Sequence, residues 1–393
     1  MRHMLDICYT GSNLHYQRKA LRMKKPITEA FDLAQHLSDG IEALIKEIIQ
    51  ATIKHPAASV FFMRYALAAK RAGTRRRRAE ENGEHIPSFL IASITGQCNL
   101  RCAGCYDRAN QCCAERPELR REDWHRIFLE AEAIGVSIIL LAGGEPLMRL
   151  DVIEEATLHP SILFPVFTNG TILDEKWLGL CARHRNIIPI VSIEGDQTAT
   201  DTRRGEGIYA RTLQAMERMR KMNLLFGASI TITSKNLLET TNQDFISNLR
   251  TLGCKTVVFV EYVPVERPEL ALNDSMRNTL EKRVAALRER GEMIIISFPG
   301  DEKASGGCLA AGRGFFHINA AGGVEPCPFS PYSDTNLQTV SLRVALQSPL
   351  FARLREEGAL DQEHTGGCTL FTQAEHVRSL VVGEVAFTHE WKE

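Results

Sequence analysis

The sequence predicts an α/β protein: a partial (β/α)6 barrel of the TIM type, with a helical N-terminal extension and a small C-terminal α+β domain. Three observations carry this. From Pro87 onward, short apolar runs alternate with stretches of helical periodicity, which is the pattern of parallel strands joined by right-handed crossovers. Residues 1–86 show helical periodicity only, and they are basic. After Pro299-Gly300 the alternation stops and a cysteine- and glycine-bearing hairpin pattern follows. The expected divisions are therefore 1–86, 87–300 and 301–393.

In the extension, Phe31, Ala34, Leu37, Ile41, Leu44, Ile45, Ile48 and Ile49 recur at steps of three and four, one apolar face of an amphipathic helix. Pro56 interrupts that face and suits the first turn of a second helix, Ala57 to about Ala72. This segment carries Phe61, Phe62 and Tyr65 and then turns basic through Lys70, Arg71 and Arg75 to Arg78. Two readings stand: a helix packed on the barrel with a solvated basic end, or peripheral contact with an anionic membrane through residues 57–78, the aromatics among the headgroups.

The barrel follows in order. Strand Phe89–Thr95 leads to helix Glu122–Ile134, strand Val136–Leu141, helix Leu150–Leu158, strand Leu163–Thr168 and helix Glu175–His184. Strand Ile188–Ile193, helix Thr212–Lys221, strand Leu225–Thr233, helix Gln243–Leu252, strand Thr256–Tyr262 and helix Ser275–Arg290 complete it. Beyond it, Phe316 and Ile318 alternate and Ala321-Gly322-Gly323 makes a hairpin turn, which would bring Cys308 and Cys327 together.

Net charge is −1, which argues against a nucleic-acid partner. It is unevenly spread: residues 1–86 hold 15 Lys+Arg against 9 Asp+Glu, a net +6, leaving −7 for the rest. No apolar run reaches bilayer length and no signal-peptide pattern opens the chain, so a cytoplasmic location, with or without peripheral membrane contact, is expected. Eleven cysteines then point to metal or redox chemistry rather than disulfides. Cys8, Cys181 and Cys254 stand alone and read as small buried hydrophobes, and Cys112 and Cys113 as loop packing.

The chemistry concentrates in Cys98-Asn99-Leu100-Arg101-Cys102-Ala103-Gly104-Cys105-Tyr106, on the loop after the first strand. Barrels of this class build active sites at the C-terminal ends of their strands. Thiols spaced C-x3-C-x2-C supply three of the four ligands of an iron–sulfur cubane, whereas structural zinc more often takes paired C-x2-C units. After the second strand comes Leu141-Ala142-Gly143-Gly144-Glu145-Pro146, after the third Thr168-Asn169-Gly170, and after the fourth Ser192-Ile193-Glu194-Gly195.

Taken together, these turns and the cysteine loop resemble the radical S-adenosylmethionine (radical SAM) superfamily over roughly residues 87–300. The resemblance implies a [4Fe–4S] cluster on Cys98, Cys102 and Cys105 whose open iron holds S-adenosyl-L-methionine, and reductive cleavage of SAM to a 5′-deoxyadenosyl radical that takes hydrogen from substrate. It implies that Gly143, Gly144 and Glu145 receive the amino group of SAM, and that Thr168, Asn169, Ser192 and Glu194 line its ribose and carboxylate. Glu194 stands where the related pattern has Asp. Arg203 or Arg204, in Asp201-Thr202-Arg203-Arg204-Gly205, is implied to approach the carboxylate, Arg204 being preferred as the residue directly before Gly205, and Tyr106 belongs to the same cofactor pocket. A one-electron donor such as flavodoxin or ferredoxin is implied as partner.

The segment from Cys308 to Pro328 is similar to the opening of the SPASM domain, an auxiliary-cluster module. Only Cys368 follows it, so the resemblance implies the shortened twitch form, with a second auxiliary [4Fe–4S] cluster on Cys308, Cys327 and Cys368. A zinc on the same thiols with a histidine such as His364 competes. Glu261, Tyr262 and His317 are candidates for an acid or hydrogen donor by position alone. A lipid or other amphiphilic substrate is expected from the basic helical extension, with peptide or protein modification as the alternative and a non-catalytic iron–sulfur carrier or sensor as a further one. Residues 1–86 are too short for a cobalamin-binding domain.

Overall fold

The computed structural model describes residues 40, 42–49, 56–109, 117–360 and 367–381. Cys8, Cys112, Cys113 and His364 lie outside them, as does the first part of the amphipathic segment.

Among the described residues, nine strands form one mixed sheet in the order β7-β6-β5-β4-β3-β2-β1-β8-β9. Strands β1 (Phe89–Ser93), β2 (Ile138–Ala142), β3 (Phe164–Thr168), β4 (Ile187–Ser192), β5 (Gly227–Ile232), β6 (Thr256–Glu261) and β7 (Ile294–Phe298) run parallel. Their registers are regular, for example Phe89↔Ile138 through Ser93↔Ala142. The sheet resembles a partial barrel and, among the described residues, its hydrogen bonding does not close it into a ring.

Helices fill the crossovers as periodicity predicts. Labelled in chain order they are α1 (42–49), α2 (Pro56–Glu81), α3 (Tyr106–Ala109), α4 (Arg121–Ile134), α5 (Leu150–Ala156), α6 (Glu175–Arg183), α7 (Gln197–Arg204) and α8 (Ile208–Lys221), then α9 (Leu237–Thr240), α10 (Gln243–Thr251) and α11 (Asp274–Glu289). Trp124, Phe128, Phe164, Trp177, Phe226 and Phe259 are buried in the main apolar cluster of sheet and helices.

Two features differ from expectation. A seventh parallel strand, β7, follows α11; its run Ile294-Ile295-Ile296 is β-branched but too short to separate from the helix end by periodicity. The C-terminal hairpin does not stand beside the sheet but extends it. Strand β8 (His317–Ile318) pairs parallel with β1 and antiparallel with β9 (Val324–Glu325), so the hairpin covers the edge that β1 would otherwise expose.

Helix α2 is longer than expected and inward-facing. Phe62, Tyr65, Ala69, Ala72, Arg76 and Ala79, at alternating steps of three and four, are buried. Phe62 and Tyr65 join Ile45, Ile48, Leu163, Ile188 and Ile294 in a second apolar cluster. Tyr65 donates to Ser137 O at 2.8 Å, and Arg76 reaches Gly135 O at 2.5 Å and Ser137 Oγ at 3.0 Å. Burial lowers the Arg76 pKa to about 10. The placement of Phe61, Phe62 and Tyr65 among lipid headgroups is thereby corrected: two are buried and Phe61 is half-buried against them, because their helical spacing matches the docked face. No described helix is long and apolar enough to cross a membrane.

Candidate active site

The cysteine loop lies at the C-terminal end of β1, held by its neighbours' turns. Gly144 N–H donates to Thr95 O at 2.8 Å and Glu145 N–H to Gln97 O at 2.7 Å, so the turn after β2 pairs with the start of the cysteine loop. A Cβ on Gly143 would come within 2.2 Å of Thr95 O, and one on Gly144 within 2.2 Å of Gln97 O. Gly143 also has φ +117°, a conformation that a side chain strains. These glycines are therefore required first by the approach of backbone to backbone.

Glu145 braces two turns. Its buried carboxylate accepts from Leu147 N at 3.1 Å, Thr168 Oγ1 at 2.7 Å and Asn169 N at 2.8 Å. Burial raises its pKa, and these donors oppose the rise. Asn169 Nδ2 donates to Asn99 Oδ1 at 2.9 Å, while Asn99 donates to Thr171 Oγ1 at 2.8 Å, so the turn after β3 grips the loop between its first two cysteines.

The turn after β4 brings two arginines. Glu194 Oε1 accepts from Arg203 at 2.5 Å and from Arg204 Nε at 2.8 Å, and its Oε2 accepts from Thr231 N at 3.1 Å. Arg203 O accepts from Ala103 N at 2.8 Å, which places α7 against the cysteine loop. Burial works against the charge on Arg204, but Glu194 and Cys102 raise its pKa overall. Ser192 is half-buried at the end of β4, in register with Ser229.

Cys98 is within electrostatic reach of Cys102, Cys105 and Glu145. Although Cys98 is exposed, partial desolvation pushes its thiol up to about 11, opposed by the Leu100 N–H, and desolvation raises the half-buried Cys105 as well. Thiols so shifted carry protons that metal binding releases. Tyr262 closes the other side. A Cβ on Gly104 would meet its hydroxyl at 2.5 Å, and Glu266 accepts from Gly104 N at 3.2 Å.

Tyr106, next to Cys105, packs edge-on against Phe329 at 5.0 Å between centroids, linking the loop to the C-terminal region. Burial raises its hydroxyl pKa well above the ordinary value. Below it runs a buried chain: His317 Nδ1 meets Glu325 Oε2 at 2.6 Å, and its Nε2 meets Ser93 Oγ at 2.8 Å. Glu261, by contrast, is engaged structurally, accepting from Arg277 Nε at 2.7 Å and from Gly367 N at 3.2 Å, beside Cys368.

The C-terminal thiols also converge. Cys308 and Cys327 are buried and Cys368 is half-buried, with both buried thiols within electrostatic reach of Cys368. Cys181 and Cys254 are buried in the main cluster, as expected of small hydrophobes. Among the described residues no three His, Cys, Asp or Glu side chains are grouped to share one metal ion. The donor chemistry of each set, three thiols, fits an iron–sulfur cubane, whose thiolates bind separate irons. Sequence reading missed Asn99 and Thr171, whose roles depend on contacts between separate turns, and Glu302, a buried acid beside Cys308; it preferred Arg204 over Arg203, and both meet Glu194.

Comparison with known proteins agrees with this arrangement. The model of the radical SAM superfamily matches residues 92–257. The AdoMet-dependent heme synthase of Methanosarcina barkeri is 27% identical over 303 residues, 69% of this chain and 86% of that protein. The sporulation killing factor maturation protein SkfB of Bacillus subtilis is 27% identical over 156 residues, 39% of this chain and 37% of that protein. Among solved structures, Streptococcus suis SuiB bound to precursor peptide SuiA superposes with a TM-score of 0.60 at 16% identity, over 79% of this chain and 77% of SuiB. anSMEcpe with bound AdoMet and the Cp18Cys peptide gives 0.54 at 15%, over 74% and 95%. At these identities the likeness to SuiB and anSMEcpe is one of fold. The cysteine loop on a parallel α/β sheet and the match over residues 92–257 together show that this chain carries a radical SAM domain, the catalytic domain of an enzyme.

Proposed function

We propose that this enzyme modifies a peptide or protein by radical SAM chemistry, with an auxiliary iron–sulfur centre in residues 301–393. The observation carrying the SAM site is the meeting of three turns, after β2, β3 and β4, around the cysteine loop at one end of the sheet. Cys98, Cys102 and Cys105 would hold a [4Fe–4S] cluster, which would supply the electron for reductive cleavage of SAM to methionine and a 5′-deoxyadenosyl radical. The turn Gly143 to Glu145 receives the SAM amino group, while Thr168, Asn169, Ser192 and Tyr106 line the cofactor pocket. Arg203 and Arg204, oriented by Glu194, neutralise the SAM carboxylate. Cys308, Cys327 and Cys368 hold the auxiliary cluster, and flavodoxin or ferredoxin delivers the electron.

A peptide substrate is supported by the fold shared with SuiB and anSMEcpe, both solved with peptides bound. The lipid reading rests on the basic helical extension and is weakened by the burial of Phe62 and Tyr65. A tetrapyrrole substrate is the second reading, favoured by the alignment across 86% of a heme synthase. Membrane contact would fall to Val60, Met63 and Leu67, the exposed stripe of α2, with Lys70 and Arg71. Flotation with anionic vesicles tests it: unchanged flotation of a Val60→Ser/Met63→Ser/Leu67→Ser variant removes this contact.

The deciding assay is anaerobic. The reconstituted protein with dithionite and SAM is followed for 5′-deoxyadenosine by mass, with peptide libraries and Fe-coproporphyrin III in separate arms. Deoxyadenosine stimulated by peptide, with a mass change in that peptide, is expected. Stimulation by the porphyrin alone selects the second reading, and no deoxyadenosine in any arm overturns the SAM-cleaving function.

A further inference from the structure

We propose that Ser93, His317 and Glu325 form a proton relay, which takes up the proton that a substrate releases once hydrogen abstraction has made it a radical. This rests on the radical SAM reading above and adds the residues that receive that proton. The three side chains make one chain: Ser93 Oγ meets His317 Nε2 at 2.8 Å, and His317 Nδ1 meets Glu325 Oε2 at 2.6 Å. A carboxylate only accepts, so Glu325 takes the Nδ1 hydrogen of a neutral ring, and Nε2 is then the acceptor of the Ser93 hydroxyl.

Strand register places this chain on the face of the sheet that carries α2. Ile294 and Ile296 pack with α2 on that face, and Phe298 follows them at the same two-residue step. The Phe298 ring meets Phe315 at 5.7 Å and Phe315 meets Phe89 at 5.7 Å, while His317 and Ser93 lie further along the same alternation. An aromatic layer therefore lies on the N-terminal side of the relay. On its other side stands Gly143, where a Cβ would come within 3.3 Å of Ser93 Cβ. Asn319 Nδ2 fixes the second oxygen of Glu325 at 2.6 Å, and its own Oδ1 is held by the Ala321 and Gly323 N–H groups at 3.1 and 2.8 Å. With its hydrogen given to His317, Ser93 Oγ accepts none from a described residue, so the chain has one open end, beside the turn that receives SAM. Docking the hairpin would need hydrogen bonds but no ionisable pair, and these residues are at most 4% exposed, where such a pair costs desolvation. A buried base oriented by a carboxylate is what proton removal requires. In that step a polar X–H bond of the substrate breaks with its electron pair left on X. Its proton passes to Ser93 Oγ as the Ser93 proton passes to His317 Nε2, and Glu325 balances the imidazolium; no electron is transferred.

Two measurements on the full chain test this. In nitrogen NMR of histidine-labelled protein at about pH 8, above the ordinary histidine range, His317 should carry its hydrogen on Nδ1 and a bare Nε2 whose signal moves in Ser93→Ala. An imidazolium there, or a hydrogen on Nε2, overturns the relay, because the ring then has no place for the proton. The second measurement takes the peptide-library and Fe-coproporphyrin III arms of the anaerobic assay and reads probe modified per deoxyadenosine formed. That ratio should fall about 100-fold in His317→Gln and be kept in Ser93→Thr. Thermal unfolding checks the fold, and Ser93→Ala, which leaves the His317–Glu325 pair in place, serves where His317→Gln does not fold. An unchanged ratio in the folded variants overturns the relay and leaves the SAM-cleaving function standing. No deoxyadenosine from the parent protein overturns both. The nitrogen measurement needs no substrate and decides the relay where no probe is modified.

Discussion

Gly144 shows how little room the site leaves at the residue level. A methyl group there would drive into Gln97 O, and that carbonyl stands directly before Cys98. Gly144→Ala should therefore displace the cysteine loop: iron in the reconstituted protein should fall from about eight to about four per chain, with deoxyadenosine formation lost while the fold persists. Full iron with full activity would refute this. Glu145→Ala leaves the Asn169 and Leu147 N–H groups without their acceptor, which should cost about 1–3 kcal/mol by urea denaturation. In the sequence the glycines were readable as sites of close approach. Their partner was not, because Thr95 and Gln97 reach them only when β1 and β2 pair.

At the scale of elements, α2 and the β8–β9 hairpin each dock through a buried polar link. Arg76→Ala would leave Gly135 O and Ser137 Oγ without that donor, lowering stability by about 1–3 kcal/mol; an unchanged urea midpoint would show the link to be dispensable. His317→Ala breaks the chain from Ser93 to Glu325, and a similar loss of about 1–3 kcal/mol is expected in the same measurement. The helix was legible from its periodicity, and the burial of Arg76 follows from its place four residues beyond Ala72 on the same face. The docking of His317 was not legible: Ser93 is 224 residues away in sequence.

For the molecule as a whole, the C-terminal region is part of the barrel's sheet. Phe316 O accepts from Ile91 N at 3.1 Å, and Phe315, Phe316 and Ile318 are buried in the main apolar cluster. A chain ending at residue 300 should expose the β1 edge and this apolar surface, and so elute as aggregates on size exclusion, where a well-behaved monomer would contradict the coupling. The order of strands, the cysteine spacing and the turns at strand ends were determined by the sequence itself, because periodicity and local turn chemistry act over a few residues. Only the tertiary structure decided that β8 extends the sheet from β1, that Asn99 meets Asn169, and that Glu194 gathers both arginines. Such contacts join residues distant in the chain, and the sheet's pairing sets them rather than any local preference.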